Sequence, residues 1–197
     1  MLRFFLLIVL FFSAGYVVVS IINYISISLS GGFFIFFIMQ TIRITADITE
    51  CSKDELSADD RRLVQSAEDF LGHAYAPYSK FSVSAAAMLD NGIIVNGTNQ
   101  ENAASPSGLC AERTTVFYAN SMYPQNKVVT LAISAFFEGQ IVKSPITPCG
   151  ACRQVLLETE KRYNSPIRLI LAGRDKCLIV NSINDILPLN FDSSFFD

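Results

Sequence analysis

Two short segments of the chain carry residues that can bind a metal and move protons. The first contains Cys110 and Glu112, and the second contains Cys149 and Cys152 directly after a proline, in a C-x-E and P-C-x-x-C arrangement. Three thiolates can fill three tetrahedral positions on Zn²⁺ and leave the fourth for water, as catalytic zinc sites do. Glu112 follows a ligand by two residues, where it can reach that water without binding the metal. The spacing predicts one catalytic zinc per chain, with Glu112 as the proton carrier.

Positive charge is needed beside such a site. Three thiolates leave the metal centre with a net negative charge, which weakens its power to acidify water. One predicted helix begins at Cys110 and another directly after Cys149, and helix N-termini carry partial positive charge. Arg113 lies three residues after Cys110, and Arg153 directly follows Cys152. We expect both to donate hydrogen bonds to sulfur.

Other interpretations of the cysteines must be weighed. A C-x-x-C pair alone is also typical of thiol redox sites and of structural zinc. Structural zinc needs a fourth protein ligand, and the soft candidates are Cys51, Cys177 and His73. None has a convincing spacing. We interpret Cys177 as a small buried hydrophobe, Cys51 as a surface thiol, and His73 as a helix-end or exposed residue.

Composition restricts the class of protein. The chain has 197 residues, a formal net charge of −3 and a pI near 5.2, so no broad basic surface for nucleic acid is expected. Five cysteines are an odd number in a chain of this length, which argues against a disulfide-stapled secreted scaffold. A small-molecule substrate is the simpler expectation.

Residues 1–40 form a hydrophobic leader, and residues 41–197 are expected to form the catalytic domain. No charged residue occurs between Arg3 and Arg43, a longer apolar stretch than the ~20 residues that cross a bilayer. The leader is either a membrane anchor or a mis-assigned start, with Met39 as the true first residue. We favour the second interpretation slightly. The expected location is the cytoplasm, or the membrane if residues 1–38 are expressed.

The pattern of elements predicts an α/β fold. A polar lead-in at 41–55 can form a short edge strand, and Asp90-Asn91-Gly92 is a strong hairpin signal. Helices are predicted at 57–73, 110–123 and 150–161, and strands at 81–89, 93–98, 128–134, 167–172 and 177–180. This order predicts a three-layer α/β/α sandwich around a mixed sheet of about five strands.

Four sequence blocks, at 75–81, 99–104, 110–114 and 148–154, together resemble the homotetrameric, three-cysteine cytidine deaminases. The resemblance covers nearly all of residues 57–191, and C-x-E with P-C-x-x-C is the signature of zinc deaminases. It implies a cytidine deaminase-like fold and a homotetramer. The implied reaction is zinc-dependent hydrolytic deamination of cytidine or 2'-deoxycytidine to the uridine product and ammonia, as in pyrimidine salvage.

The resemblance also implies roles for single residues. Asn99 and Glu101 match the pair that holds the ribose hydroxyls, and Phe81 matches the aromatic residue that packs on the pyrimidine, although ordinary strand packing is its alternative. Ala111 matches a position whose backbone amide faces the base carbonyl. Arg113 matches the residue that offsets thiolate charge.

Two further positions concern the edge of the site. Phe191 resembles an aromatic residue that enters a neighbouring subunit's site, with packing inside its own chain as the alternative. Ser105 stands where the family commonly has tyrosine, which puts substrate affinity in question.

Three rival functions remain open at this point. Ser105 keeps open a deaminase of a modified or antibiotic cytosine nucleoside. A nucleic-acid cytosine deaminase is less favoured because of the acidic pI. A membrane-anchored, non-catalytic zinc protein would need a fourth protein ligand.

Overall fold

The computed structural model describes residues 26–29, 32–35 and 41–196. The chain divides into two compact units, residues 1–45 and 46–197. In the first unit, β1 (Ser26–Leu29) pairs antiparallel with β2 (Gly32–Ile35). The rest of the predicted leader lies outside the described residues. In the part of the chain that the structure describes, no helix combines the length and the apolar character needed to cross a membrane.

A mixed sheet forms the centre of the second unit. Within residues 41–196 it has seven strands, in the order β3-β9-β8-β6-β4-β5, with β7 paired to the end of β6. Only β6 and β8 run parallel, and the other neighbours are antiparallel. The strands are β3 (Ile48–Cys51), β4 (Ser82–Leu89), β5 (Ile94–Thr98), β6 (Val128–Phe137), β7 (Gln140–Ile141), β8 (Arg168–Ala172) and β9 (Cys177–Val180).

Helices cover both faces of this sheet. The longer helices of residues 41–196 are α1 (Ala58–Asp69), α2 (Ala111–Met122) and α3 (Gly150–Tyr163). On one face, Leu63 and Val64 of α1 pack against the sheet. On the other, α2 and α3 bury a larger cluster that includes Val116 and Leu157. The predicted three-layer α/β/α sandwich is therefore confirmed.

Local sequence accounts for the ends of these elements. The Ser57 hydroxyl caps α1 by accepting a hydrogen bond from the Asp60 amide at 3.1 Å. Gly92 takes a φ of 83°, which a glycine adopts without strain, and so closes the predicted hairpin between β4 and β5. Helix α3 ends at Tyr163, and its C-cap Asn164 is left-handed with φ 46°.

The sheet has two more strands than the five expected. One is β3, the edge strand that the polar lead-in allowed, which pairs with β9. The other is β7, which has only two residues and follows a turn at Glu138 and Gly139, both with positive φ. A two-residue strand has too few positions to show an alternating pattern, so sequence periodicity cannot reveal it.

Candidate active site

The candidate site lies where α2 and α3 begin. The N-cap residues are Cys110 for α2 and Cys149 for α3, and neither side chain caps its helix. Serine, threonine, aspartate and asparagine are the usual N-caps because their oxygen accepts an amide hydrogen bond. Cysteine at both positions leaves the first-turn amides without that bond and turns two sulfur atoms toward a common point near two positive helix ends.

The three predicted ligands come together. The sulfur atoms of Cys110 and Cys149 are 3.8 Å apart, those of Cys149 and Cys152 are 3.5 Å apart, and all three lie within 4.8 Å of one another. Zn–S bonds of about 2.3 Å at tetrahedral angles require sulfur–sulfur distances of about 3.8 Å. The arrangement fits a tetrahedral zinc ion. Among the described residues, no fourth histidine, cysteine or carboxylate joins this cluster.

Arg113 supports the ligands as expected. Its guanidinium donates to the sulfur of Cys110 at 3.8 Å. The pKa of Cys110 is lowered to about 5, chiefly because Cys152 donates a hydrogen bond to its sulfur, with further help from Arg113 and against the effect of burial. In return, the thiolate raises the pKa of Arg113. Cys110 therefore favours the thiolate form that a metal ion needs, whereas the hydrogen bond to Cys110 and burial raise the pKa of Cys152.

Glu112 is a buried carboxyl group in the first turn of α2, and its side chain is only 5% exposed. Burial raises its pKa, and the negative charge of Cys110 raises it further. Glu112 also lines the cavity in front of the sulfur atoms. A carboxyl group whose protonated form is favoured in this way is suited to exchanging protons with a bound molecule.

Arg153 does not do what the sequence indicated. It donates to the carbonyl oxygens of Pro148 at 2.9 Å and Ile186 at 2.7 Å, and to the Thr147 hydroxyl at 3.4 Å, and none of its hydrogen bonds goes to sulfur. The expectation of an Arg153–sulfur bond was wrong. Its side chain instead ties the loop before Cys149 to the C-terminal segment, and so it positions a ligand through the backbone.

A cavity of about 770 Å³ opens in front of the metal ligands. This volume is within the range of about 300–1,000 Å³ typical of small-molecule sites. Its walls include eight residues that the sequence indicated, namely Asn99, Glu101, Ser105, Cys110, Ala111, Glu112, Arg113 and Cys149. Tyr78, Val83 and Thr147 also line it and were missed. Val83 lies two residues after Phe81, and side chains two apart in a strand point to the same face. This alternation was the sequence signal that could have indicated Val83.

Asn99 and Glu101 are both held in place by backbone groups. The side-chain Oδ1 of Asn99 accepts from the backbone amide of Val83 at 2.8 Å, and its Nδ2 donates to the Phe81 carbonyl at 2.9 Å. One Glu101 oxygen, Oε2, accepts from the Tyr78 and Ser79 amides at 2.9 and 3.3 Å. Hydrogen bonds from Ser79 and Tyr78 lower the Glu101 pKa and favour its ionised form. Both side chains therefore meet the cavity in fixed orientations.

The remaining predicted contacts lie at different depths. Ala111 is buried at the start of α2, and Ser105 is exposed in a short 3-10 turn at the cavity edge. Phe81 is not among the residues that line this cavity. Its ring is tilted against Phe137, with centroids 5.6 Å apart, so the strand-packing alternative describes its position within this chain.

Phe191 lies near the surface of its own chain. It is 57% exposed, and its ring packs on the neighbouring rings of Phe195 and Phe196, with centroids 5.3 and 5.6 Å away. The Gln154 side chain donates to its backbone carbonyl at 2.8 Å and fixes the segment to α3. Packing into the core of its own chain, the alternative for this residue, is wrong.

The soft side chains outside the cluster have other environments. His73 stacks on Phe70 at the end of α1, with ring centroids 4.3 Å apart, as expected. Cys177 is fully buried, also as expected. Cys51 differs from the expectation of a surface thiol, because it is half-buried against the core cluster that contains Cys177.

Residues 57–164 match the sequence profile of the cytidine and deoxycytidylate deaminase zinc-binding region. A cytidine deaminase from Halalkalibacterium halodurans is 41% identical over 100 residues, which are 51% of this chain and 71% of that protein. A second, from Sporosarcina psychrophila, is 42% identical over 100 residues, 51% of this chain and 69% of that protein.

Solved structures agree with the sequence matches. A crystal structure of cytidine deaminase from Burkholderia pseudomallei is 34% identical with a TM-score of 0.56, covering 66% of this chain and 97% of that one. Cytidine deaminase from Mycobacterium tuberculosis is 30% identical with a TM-score of 0.54, covering 69% and 99%. The profile spans more than half of the 197 residues and contains all three cysteines and Glu112, so the chain belongs to the cytidine and deoxycytidylate deaminase family.

Proposed function

We propose that this protein catalyses the zinc-dependent hydrolytic deamination of cytidine or 2'-deoxycytidine. The observation that carries the proposal is the position of Glu112, a buried carboxyl group that faces the same cavity as three cysteine sulfurs at tetrahedral spacing. Cys110, Cys149 and Cys152 hold the zinc. Bound zinc acts as a Lewis acid that lowers the pKa of water at its open position.

The protein's own contribution is proton transfer and orientation. Glu112 takes a proton from water, passes it to the N3 atom of the pyrimidine, and later delivers a proton to the departing amine. Burial raises the pKa of Glu112 and so favours its protonated form, which suits the delivery of protons to N3 and to the amine. The amide of Ala111, at the start of α2, faces the carbonyl of the base at the positive end of the helix.

The nucleoside sugar is held at the other end of the cavity. Asn99 uses one lone pair and one N–H in backbone bonds, which leaves one further acceptor and one donor site for a hydroxyl. The backbone bonds of Glu101 use Oε2, so Oε1 can accept from the second hydroxyl of a diol. Phe81 is proposed as a wall for the base if the turn that precedes it adjusts on binding.

Assembly into a homotetramer is part of the same proposal. Phe191 is exposed in its own chain and held by Gln154, a geometry that suits insertion into a neighbouring subunit's site. A further exposed apolar set on α2 suits a subunit contact, namely Phe117, Tyr118 and Met122. A cytoplasmic location is also proposed, because all five cysteines are free thiols, including Cys51 and Cys177 outside the zinc cluster.

Ser105 defines the second candidate function. Because it is small and exposed at the cavity edge, the site has room for a substituent that a tyrosine there would exclude. This favours modified cytosine nucleosides as additional substrates. Parallel assays with cytidine and with nucleosides substituted on the sugar measure the preference directly.

The test is the ultraviolet change of cytidine on incubation with the purified full-length protein, beside a Glu112→Ala variant. Conversion by the parent and none by the variant is the expected result. A folded, zinc-loaded parent that converts neither cytidine nor a modified cytosine nucleoside overturns the proposal. A short single-stranded oligonucleotide serves as the third substrate, and faster deamination there than on free cytidine would assign the protein to nucleic-acid editing instead.

A further inference from the structure

Two cysteines outside the zinc site lie opposite each other in the sheet. Strand β3 pairs antiparallel with β9, and in this register Cys51 is the direct partner of Cys177. Directly opposed side chains in an antiparallel pair point to the same face of the sheet. Both residues belong to the apolar cluster beneath α1, in which Cys177 is buried and Cys51 packs at its edge.

The spacing of this pair is compatible with a disulfide. Opposed Cα atoms in an antiparallel pair are about 4.5–5.5 Å apart, and disulfides span Cα distances of about 4.4–6.8 Å. The Cβ atoms of opposed residues are about 4.5–5.5 Å apart, whereas a disulfide brings them to about 3.5–4.5 Å. Closure therefore needs an approach of about 1 Å, and β3 pairs with the sheet on one side only.

Access to the pair differs between its two members. Cys51 is half-buried at the last residue of a four-residue edge strand, whereas Cys177 is fully buried in β9. A short edge strand opens locally at low cost, which uncovers the Cys51 thiol, and re-pairing of β3 brings it back opposite Cys177. Burial raises the pKa of both thiols, to about 11 for Cys177, so the pair reacts slowly at neutral pH and is not a fast redox sensor.

We propose that Cys51 and Cys177 are an oxidisable pair that a small-molecule disulfide, such as oxidised glutathione, closes into a cross-strand disulfide. The Cys51 thiolate attacks one glutathione sulfur, and the first glutathione leaves as a thiolate. Cys177 then attacks the Cys51 sulfur of this mixed disulfide and displaces the second glutathione. Two protein thiols are oxidised, and one glutathione disulfide is reduced to two thiols.

The consequence is a covalent attachment of β3 to the sheet for as long as the disulfide is present. At present four residue pairs and an ion pair between Glu50 and Lys176 hold this edge strand. The linkage would join residues near the two ends of the catalytic unit and so restrict its unfolded chain strongly. The zinc ligands are a separate group of cysteines at the N-termini of α2 and α3, so the linkage leaves the metal in place.

The experiment treats the zinc-loaded, full-length protein with oxidised glutathione for several hours and maps its peptides without reduction. We expect a cross-linked peptide that joins Cys51 to Cys177, a chain mass lower by about 2 Da, and a Tm higher by about 5 °C or more. Dithiothreitol should reverse both changes. Zinc content and cytidine turnover should stay within twofold of the untreated protein.

The matched variants are Cys51→Ser and Cys177→Ala. With Cys51→Ser, the same treatment should give neither the cross-link nor the Tm rise. With Cys177→Ala, Cys51 should keep a single glutathione adduct because no second thiol displaces it. A parent protein that carries only the adduct, or that forms cross-links only among the zinc ligands, overturns the proposal.

Discussion

Gly97 on β5 lies directly against the backbone of Thr115 on α2. A Cβ atom added to Gly97 would meet the Thr115 hydroxyl oxygen at 2.5 Å, its backbone nitrogen at 2.8 Å and its Cα at 3.0 Å. Thr115 is one helical turn after Ala111, and its hydroxyl donates to the carbonyl oxygens of Ala111 and Ala85. The absence of a side chain at Gly97 thus lets the first turn of α2, with Glu112, lie close to the sheet.

Gly97→Ala should therefore lower both stability and turnover. We expect a loss of about 1–3 kcal/mol in the free energy of unfolding, typical of overpacking, and a kcat lower by about 10- to 100-fold as Glu112 shifts. Adding Thr115→Ala removes the hydroxyl but not the contact with backbone, so it should not restore kcat. Gly72→Ala is the control, since nothing lies within 4 Å of its added Cβ. Equal kcat values for the two glycine variants would contradict this role.

Glu112→Gln should separate proton transfer from metal binding. Glutamine has nearly the same shape but cannot carry the proton, so we expect kcat to fall by about 10²–10⁴-fold. Zinc content, measured by elemental analysis, should stay at one per chain. Glu158→Gln on the exposed side of α3 is the control and should keep parental turnover. Retention of turnover by Glu112→Gln would remove this residue from the mechanism.

Removal of zinc by a chelator should abolish turnover and lower the Tm. The metal joins the N-termini of α2 and α3, so its loss leaves three cysteines with mutually repelling or unsatisfied sulfur atoms. Titration of zinc back into the apo protein should restore turnover at one equivalent per chain. Cys152→Ala, which removes the buried ligand, should prevent this recovery. Turnover by a metal-free sample would contradict the zinc assignment.

Arg153→Ala should destabilise the loop before Cys149. Its guanidinium makes two short bonds to the carbonyl oxygens of Pro148 and Ile186, and loss of such charged donors costs about 1.5–3 kcal/mol each. We expect a lower free energy of unfolding in a denaturant titration and a weaker zinc affinity. Arg174→Ala, whose partners are exposed, should change stability by no more than about 0.5 kcal/mol. Identical unfolding curves for both variants would contradict this prediction.

Phe191→Ala should affect activity through assembly and not through the fold of its own chain. Because the ring is 57% exposed, its loss should leave the Tm of a dilute sample almost unchanged. Specific activity should fall at least tenfold if the ring completes a neighbouring site. Phe196→Ala, at a 76% exposed ring, should retain activity within twofold. Parental activity of Phe191→Ala at every concentration would exclude a role between subunits.

The clustering of the three cysteines and the position of Glu112 beside the cavity could be predicted because both depend on residue type and short spacing. Cys110 and Cys149 begin helices whose amphipathic patterns are visible in the sequence, and the hairpin at Asn91-Gly92 has a local cause. Features of this kind can be predicted because each depends on residues within a single turn or helix end.

The partners of long side chains could not be predicted in the same way. Arg153 follows Cys152 directly, yet its guanidinium reaches Ile186, whose position depends on how the chain returns after β9. Phe81 has the sequence context of a substrate contact, but it packs on Phe137 because β6 extends beyond its predicted end. The pairing of Cys51 with Cys177 depends on the register between two distant strands, which nothing local fixes.

The position of β3 at the margin of the sheet has a consequence for aggregation. The region that matches the family profile begins at residue 57, after this strand, so a polypeptide shortened to that residue would lack it. The apolar strand β9 would then present unpaired amide and carbonyl groups along one side. Another molecule could pair a strand with this edge, which leads to aggregation. In the longer chain, β3 pairs with β9 and places three exposed residues, including the acidic Glu50, at the edge of the sheet. This arrangement protects β9 from pairing with a second molecule.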